Sequence, residues 1–197
     1  MFKPNLPTMR KSILESLSKL FQYYKSLGEK VFAQLDDDEL FSSPSSETNS
    51  IAIIVKHLSG NMISRWTNFL STDGEKEWRN RDSEFENDIR TRKEMLIKWN
   101  AGWNCLFAAL KDSEEVDLAS LVYIRDQGHT ILEAFHRQLA HYAYHIGQIV
   151  HAGKSIKGSE WKSLSIPRGQ SKLYNAAKFS MPKDREHFTD DFIDSQI

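Results

Sequence analysis

The sequence predicts an all-α protein, a four-helix bundle with a long polar loop and a C-terminal extension. Four segments repeat apolar residues at steps of three and four, the period of an α-helix that buries one face. Capping residues or clusters of serine and proline separate these segments. No strongly periodic strand interrupts them, and four long helices with short accessories pack most simply as a bundle.

Length, charge and cysteine content narrow the class of protein. The 197 residues suffice for one domain, which we place at residues 1–176, and residues 177–197 are expected to form a poorly ordered polar tail. A formal net charge of −1 argues against a nucleic-acid-binding protein. The single cysteine, Cys105, fits a reducing compartment. With no signal peptide and no apolar run of about 20 residues, we expect a soluble cytoplasmic protein without a membrane segment.

The first two helices are predicted from their apolar periodicity. The first covers residues 8–35, with Thr8 as its N-cap. The second runs from about Ser50, a capping residue, to Leu70 and opens with a very apolar run. His57 lies in the middle of this second helix, directly after the apolar run.

Between the second and fourth helices, the sequence predicts a loop, a helix and an extended connection. Residues 71–88 are charged and almost free of aliphatic side chains, so this long loop is either functional or mobile. Residues 88–111 have helical periodicity, whereas residues 118–124 form a short apolar run. Beyond the fourth helix, residues 154–178 are basic; this segment would suit an acidic partner, although a charge run is usually a solvated face.

The fourth helix carries the most informative motif. It is predicted to start at Thr130, which opens a capping box, and to end at Gly153. His141 and His145 are four residues apart and therefore share one face of this helix. Two imidazoles placed in this way can bind one transition-metal ion from the same side, and His57 is the candidate third ligand.

The surrounding residues resemble a known family. The string from His141 to Ile149, HYAYHIGQI, is similar to the last-helix signature of the DinB-like/YfiT-like superfamily, which also has one histidine in its second helix. Residues 51–66, 78–82 and 163–169 resemble a branch of small bacterial members of that superfamily. The resemblance extends from the first helix to Ser171.

This resemblance implies a four-helix bundle that binds one divalent ion through His57, His141 and His145. Nickel or zinc would be the leading metals, with iron and manganese as alternatives. Members with known chemistry are mostly transferases that use mycothiol or bacillithiol, and many look like homodimers. We therefore expect a homodimer that transfers a small-molecule thiol to small electrophiles. Two alternatives stay open: a hydrolase that activates water at the metal, and a non-catalytic bundle with a structural metal or none.

Five further side chains are candidates to orient a ligand or to contact substrate: Asn61, Arg137, Tyr144, Gln148 and Arg168. The asparagine lies one turn after His57 and the glutamine three residues after His145, so either amide can orient a ligating imidazole. Arg137 could hold an anionic group, and Tyr144 could donate a hydrogen bond near the metal. Arg168 could fold back to the mouth of the site. No catalytic residue is assigned, and we expect no ligand among the remaining histidines: His129, His136, His151 and His187.

Overall fold

The computed structural model describes residues 6–43, 45 and 47–193, and for residues 6 and 7 the backbone only. The N-terminal residues on which the signal-peptide expectation rests, and the last four residues of the expected tail, lie outside this part of the chain. The described residues are mostly helical, which confirms the all-α prediction. No helix among them is long and apolar enough to cross a membrane.

The helices and strands follow one another in a simple order. The helices are α1 (Leu6–Phe32), α2 (Asp37–Phe41), α3 (Ile51–Trp66), α4 (Arg92–Asp112), α5 (Ile131–Lys157), α6 (Ser171–Ser180) and α7 (Asp190–Ile193). Two short strands, β1 (Leu121–Ile124) and β2 (Gln127–Thr130), pair as an antiparallel hairpin between α4 and α5. Single 3₁₀ turns occupy Asp82–Phe85 and Gly158–Glu160. Of the apolar run at 118–124 that was predicted to be extended, the last four residues form strand β1 and residues 118–120 form a turn.

Side-chain caps explain where the helices begin. The Ser50 side chain accepts a hydrogen bond from the Ile53 backbone N–H, and Thr130 forms the predicted capping box at the start of α5. The prediction of Thr8 as the cap of α1 is wrong, because this helix already begins at Leu6. Pro7 therefore lies in the first turn of α1. Proline is favourable there, since its fixed φ is helical and its missing N–H would have no partner in the first turn.

The predicted end of α5 at Gly153 is also wrong. The helix continues to Lys157 and ends at Gly158, whose φ of 52° lies in the left-handed region that favours glycine. Gly153 has a packing role instead, because a Cβ atom there would lie 2.5 Å from Cγ1 of Val31 on α1. The absence of a side chain allows the two longest helices to approach each other closely.

The four long helices contact one another in a closed pattern. Helix α3 packs along α4 and α1 packs along α5, while α3 also contacts α5 and α1 also contacts α4. The core between them contains large, fully buried side chains, among them Phe21, Trp99, Trp103, Phe135 and Tyr142. Burial of this apolar surface, together with that of the aliphatic side chains around it, stabilises the fold.

The polar loop between α3 and α4 packs against the helices over part of its length. Its 3₁₀ turn contacts α3, and Glu84 in that turn is buried. Asp73 accepts hydrogen bonds from the backbone N–H groups of Arg125 and Asp126, which form the turn of the β-hairpin with positive φ angles. The loop and the hairpin are thereby joined beside the N-terminal half of α5.

Beyond α5, the chain returns along α1. Leu164 is buried and Trp161 packs against the core, whereas α6 is almost entirely exposed. Helix α7 contacts α1, and Lys19 forms an ion pair of 2.7 Å with Asp190. Thr189, just before α7, is fully buried.

Candidate metal centre

The packing of α3 against α5 brings the three predicted histidines together. Each of His57, His141 and His145 offers one ring nitrogen, and these nitrogens all lie within 4.8 Å of one another. The Nε2 atoms of His141 and His145 are 3.1 Å apart. Nitrogens bound at ~2.0–2.1 Å to one tetrahedral ion would be about 3.4 Å apart. The three side chains therefore fit a single divalent ion, with at least one coordination position left for another ligand.

Burial keeps two of these imidazoles neutral. It lowers the pKa of His141 to about 3, and the neighbouring His145 and His57 add to this effect. Burial also lowers the pKa of His145, against the opposing influence of its hydrogen bond to Gln148. A neutral imidazole has the free lone pair that metal binding requires, so His141 and His145 do not have to lose a proton before they bind metal at neutral pH.

A buried carboxylate orients His57. The Nδ1–H group of His57 donates a hydrogen bond of 2.9 Å to Oε2 of Glu84, which is 5% exposed. Arg79 donates to both oxygens of the same carboxylate, at 2.8 and 2.9 Å. Burial opposes the ionisation of Glu84, but the hydrogen bonds from His57 and Arg79 outweigh it and hold the pKa of this carboxyl below its ordinary value. A carboxylate behind the imidazole is typical of metal-binding histidines, and it leaves Nε2 as the ligand atom.

Glu84 and Arg79 were not predicted from the sequence as parts of the site. Both lie in the polar loop, where no periodicity indicates which side chain points inward. One signal was present: Gly60 lies inside α3, where glycine costs about 1 kcal/mol relative to alanine. A Cβ atom at Gly60 would lie 2.2 Å from Oε1 of Glu84, so the glycine gives the loop carboxylate room to reach His57.

The two candidate amide side chains have different partners. Gln148 accepts a hydrogen bond of 2.8 Å from Nδ1–H of His145 and so orients this imidazole, as the sequence suggested. Asn61 lines the cavity beside the histidines, but its Oδ1 accepts from the hydroxyl of Tyr142 at 3.2 Å. That hydroxyl in turn accepts from the indole N–H of Trp66. Asn61 is therefore anchored to the core.

The remaining candidates lie at the opening of the site or away from it. Tyr144 lines the cavity and is 63% exposed. Arg137 also lines it and donates a hydrogen bond of 2.8 Å to Nε2 of His129. Arg168 is exposed in the segment between α5 and α6, outside the set of residues that line the cavity.

The cavity above the histidines is open to solvent and strongly cationic. Its volume is about 430 Å³, and Phe85, whose ring stacks on His57, forms part of its wall. Five arginines line it: Arg65, Arg79, Arg81, Arg125 and Arg137. A small molecule that enters would meet the three imidazoles and positively charged side chains together.

Fold and site together define an all-α protein with three converging histidines in a cationic cavity. Residues 8–170 match the family described as protein of unknown function (DUF1572), and because this match covers most of the chain, the chain belongs to that family. No curated protein matches the chain significantly. No solved structure does so either.

Proposed function

We propose that the chain is a DinB-like four-helix-bundle metalloenzyme that transfers a small-molecule thiol to small electrophiles. His57, His141 and His145 would hold one divalent transition-metal ion. The observation that carries the proposal is the convergence of these imidazoles in an open cavity, with a buried carboxylate behind His57. The HYAYHIGQI string resembles the last-helix signature of the DinB-like/YfiT-like superfamily, whose members with known chemistry are mostly thiol-dependent transferases, and this resemblance supports the choice of reaction.

The ligand set supports a catalytic site over a structural one. Three neutral imidazoles leave the double positive charge of the ion uncompensated and leave a coordination position open, whereas structural zinc sites are usually closed by four protein ligands. A divalent ion bound there would act as a Lewis acid that lowers the pKa of a thiol. Glu84 and Gln148 would keep the imidazoles of His57 and His145 in fixed orientations while substrates exchange.

The thiol has to come from a second substrate. The only cysteine of the chain, Cys105, lies near Thr67 and does not line the cavity. In the proposed reaction the thiol sulfur forms a bond to an electrophilic carbon, and the bond between that carbon and its leaving group breaks. The leaving group takes the electron pair of that bond and departs with the thiol proton as its conjugate acid.

A turnover assay tests the reaction class. Protein loaded with zinc or nickel would be mixed with chlorodinitrobenzene and a panel of thiols, including bacillithiol and mycothiol, and thioether formation followed by absorbance. We expect turnover that needs both metal and thiol, that is lost in His57→Ala, and that persists in His136→Ala. His136 is a suitable control because it is exposed on the same helix as two of the ligands.

Two other outcomes would contradict the thiol reaction. Metal-dependent cleavage of a nitrophenyl ester without any thiol would favour a hydrolase. No turnover of either kind by metal-loaded protein would favour a non-catalytic bundle. Formation of a homodimer, which the resemblance also implies, stays a prediction that sedimentation equilibrium would check.

A further inference from the structure

We propose that the arginine-rich wall of the cavity is a subsite for a small oxyanion, a carboxylate or phosphate group of the substrate. The anion would contact Arg65 and Arg137 while the reactive atom of the same molecule lies at the histidines. For the reactive end, this inference rests on the proposed function. The anion subsite itself consists of arginines and needs no metal.

The cavity holds more guanidinium charge than the protein neutralises. Among the described residues, the acidic partners of its arginines are Glu84 and Glu75. Arg79 donates two hydrogen bonds to the Glu84 carboxylate and also forms an ion pair with Glu75. Glu75 is shared further with Arg65 at 3.7 Å and with Arg125 at 3.5 Å. The described residues give Arg81 and Arg137 no carboxylate partner at all, so the wall keeps a net positive charge.

Arg65 is the strongest single indication of a ligand. It lines the cavity and is 5% exposed, and its Nε and Nη1 atoms have no hydrogen-bond partner among the described residues. A buried donor without an acceptor is costly, and for a charged group the cost is higher. Burial lowers the pKa of Arg65, and the nearby Arg137 and Arg79 act in the same direction. A bound oxyanion would supply both the missing acceptors and the missing negative charge.

Arg137 is held in position without being neutralised. Its guanidinium donates to Nε2 of His129, and Nδ1–H of His129 donates to the carbonyl of Gln127 on strand β2. The hairpin thus fixes the side chain of Arg137 through the ring of His129, without supplying a negative charge. Arg137 precedes His141 by four residues on α5, so the two side chains share a face about 6 Å apart along the helix. A molecule a few bonds long can therefore reach from Arg137 to the histidines.

Gln138 adds a neutral polar group to the same wall. It lines the cavity, is 2% exposed, and its Oε1 atom has no hydrogen-bond partner within the described part of the chain. A hydroxyl or N–H group next to the anionic group of a ligand would satisfy it. The class of substrate that fits best is a small organic acid or phosphate ester with a hydrogen-bond donor nearby.

Calorimetric titration of metal-free protein tests the subsite. Succinate and inorganic phosphate are the anionic probes, and succinamide, which is neutral and similar in shape to succinate, is the control ligand. All titrations are made at one ionic strength, because screening weakens such contacts. We expect one anion to bind per chain and the affinity to fall at least about tenfold in Arg137→Gln. Arg90→Gln, which removes an exposed arginine outside the cavity, should leave the affinity unchanged.

The probes and variants distinguish the outcomes. Binding of succinate alone or of phosphate alone identifies the group, and Arg137→Lys should restore part of the affinity. If neither anion binds below about 10 mM, if Arg137→Gln binds as well as the parent, or if succinamide competes equally, the subsite is wrong. The titration is repeated on the triple variant His57→Ala, His141→Ala, His145→Ala. Anion binding by this triple variant would show that the subsite needs no metal. If the parent protein binds the anion but takes up no metal after reloading, the subsite is supported and the proposed function is refuted, whereas thiol transfer by a parent protein without anion affinity would do the reverse.

Discussion

Two faces of the same helix, α5, are built on different principles. Its apolar face carries Phe135, Tyr142, Ile146 and Ile149, all buried in the core. Its polar face carries Gln138, His141, His145 and Gln148, and is directed toward α3 and the cavity. The apolar face is stabilised by the area it buries, which many side chains of similar size could supply. The polar face depends on individual partners, such as Glu84 and Arg79, far away in sequence.

This difference separates stability from function within one helix. Loss of apolar surface should destabilise the protein without changing what the site binds. Loss of a polar side chain should abolish binding at a small cost in stability, because these groups stabilise the fold little in the absence of a ligand. Four predictions test this separation, in order of decreasing effect.

The largest effect is expected from Phe135→Ala on the apolar face. Phe135 is fully buried and stacks on Trp66 with the ring centroids 4.7 Å apart. Its truncation should lower the free energy of unfolding by about 4 kcal/mol, measured by urea denaturation. The folded variant should still bind as much metal as the parent.

His141→Ala is the counterpart on the polar face: it should lose the metal and change the stability of the metal-free protein by less than about 1 kcal/mol. Equal stability losses in both variants would remove the distinction between the faces.

Tyr142→Phe probes the boundary between the two faces. The Tyr142 hydroxyl links the indole N–H of Trp66 to the amide oxygen of Asn61, and its removal leaves both buried groups without this partner. We expect a loss of about 2 kcal/mol in unfolding free energy. Tyr144→Phe, at an exposed position two residues along, is the matched control and should be neutral. A neutral Tyr142→Phe would mean that the hydroxyl network contributes nothing.

Two glycines of α5 should respond to alanine with opposite signs. At Gly153 the new Cβ would meet Val31 at 2.5 Å and Trp161 at 3.3 Å, so overpacking should outweigh the better helix propensity and give a net loss of about 1 kcal/mol. At Gly147, apart from its chain neighbours and the nearby backbone of its own helix, no atom of the described residues lies within 4 Å of the new Cβ, and the substitution should stabilise the protein by up to about 1 kcal/mol. Thermal denaturation of both variants measures the difference, and a stabilising Gly153→Ala would contradict the close approach of α1 and α5.

The smallest effect is expected from a substitution of Asp73 in the polar loop between α3 and α4. Burial opposes the ionisation of Asp73, but backbone N–H groups of Glu75, Asp126 and Arg125 hold the pKa of its carboxyl below the ordinary value. The folded-state pKa is thus lower than the unfolded value of about 3.9. The resulting stabilisation is present above that pH and is lost as the pH falls through the folded-state pKa. Asp73 is partly exposed to solvent, which screens its charge, so Asp73→Asn should cost less than about 1 kcal/mol at pH 7.

Urea midpoints recorded from neutral to acid pH would check this prediction. The difference between the parent and Asp73→Asn should shrink as the pH falls. A difference that is constant over the whole range would show that the carboxylate charge does not contribute.

The same contrast explains what could be predicted from sequence. The apolar faces of the long helices follow from their period, and the caps at Ser50 and Thr130 follow from local hydrogen bonding. The histidine cluster was predictable because two of its members are one turn apart and the third follows an apolar helical run. These features are short-range or periodic.

The rest of the site depends on tertiary contacts that leave no periodic trace. Glu84 reaches His57 only because the loop folds back over Gly60. Arg65 can be identified as part of a cationic site only once the structure places it beside the other arginines of the cavity. Glycine is the residue type that commonly ends a helix, and Gly153 was predicted to do so. Its packing role depends on its neighbour on α1, Val31, which only the tertiary structure shows. Residue type alone could not distinguish these two roles of glycine.

Metal content is the most direct test of the central claim that the polar face of α5 and His57 form one metal site. Tag-free protein purified without chelator would be analysed for bound metals beside three variants: Glu84→Gln, His136→Ala, and the triple alanine variant of His57, His141 and His145. We expect about one ion per chain in the parent and in His136→Ala, an affinity 10- to 100-fold weaker in Glu84→Gln, and no ion in the triple variant. Equal metal content in the parent and the triple variant, or none in either after reloading with zinc, nickel, manganese and iron, would contradict the account.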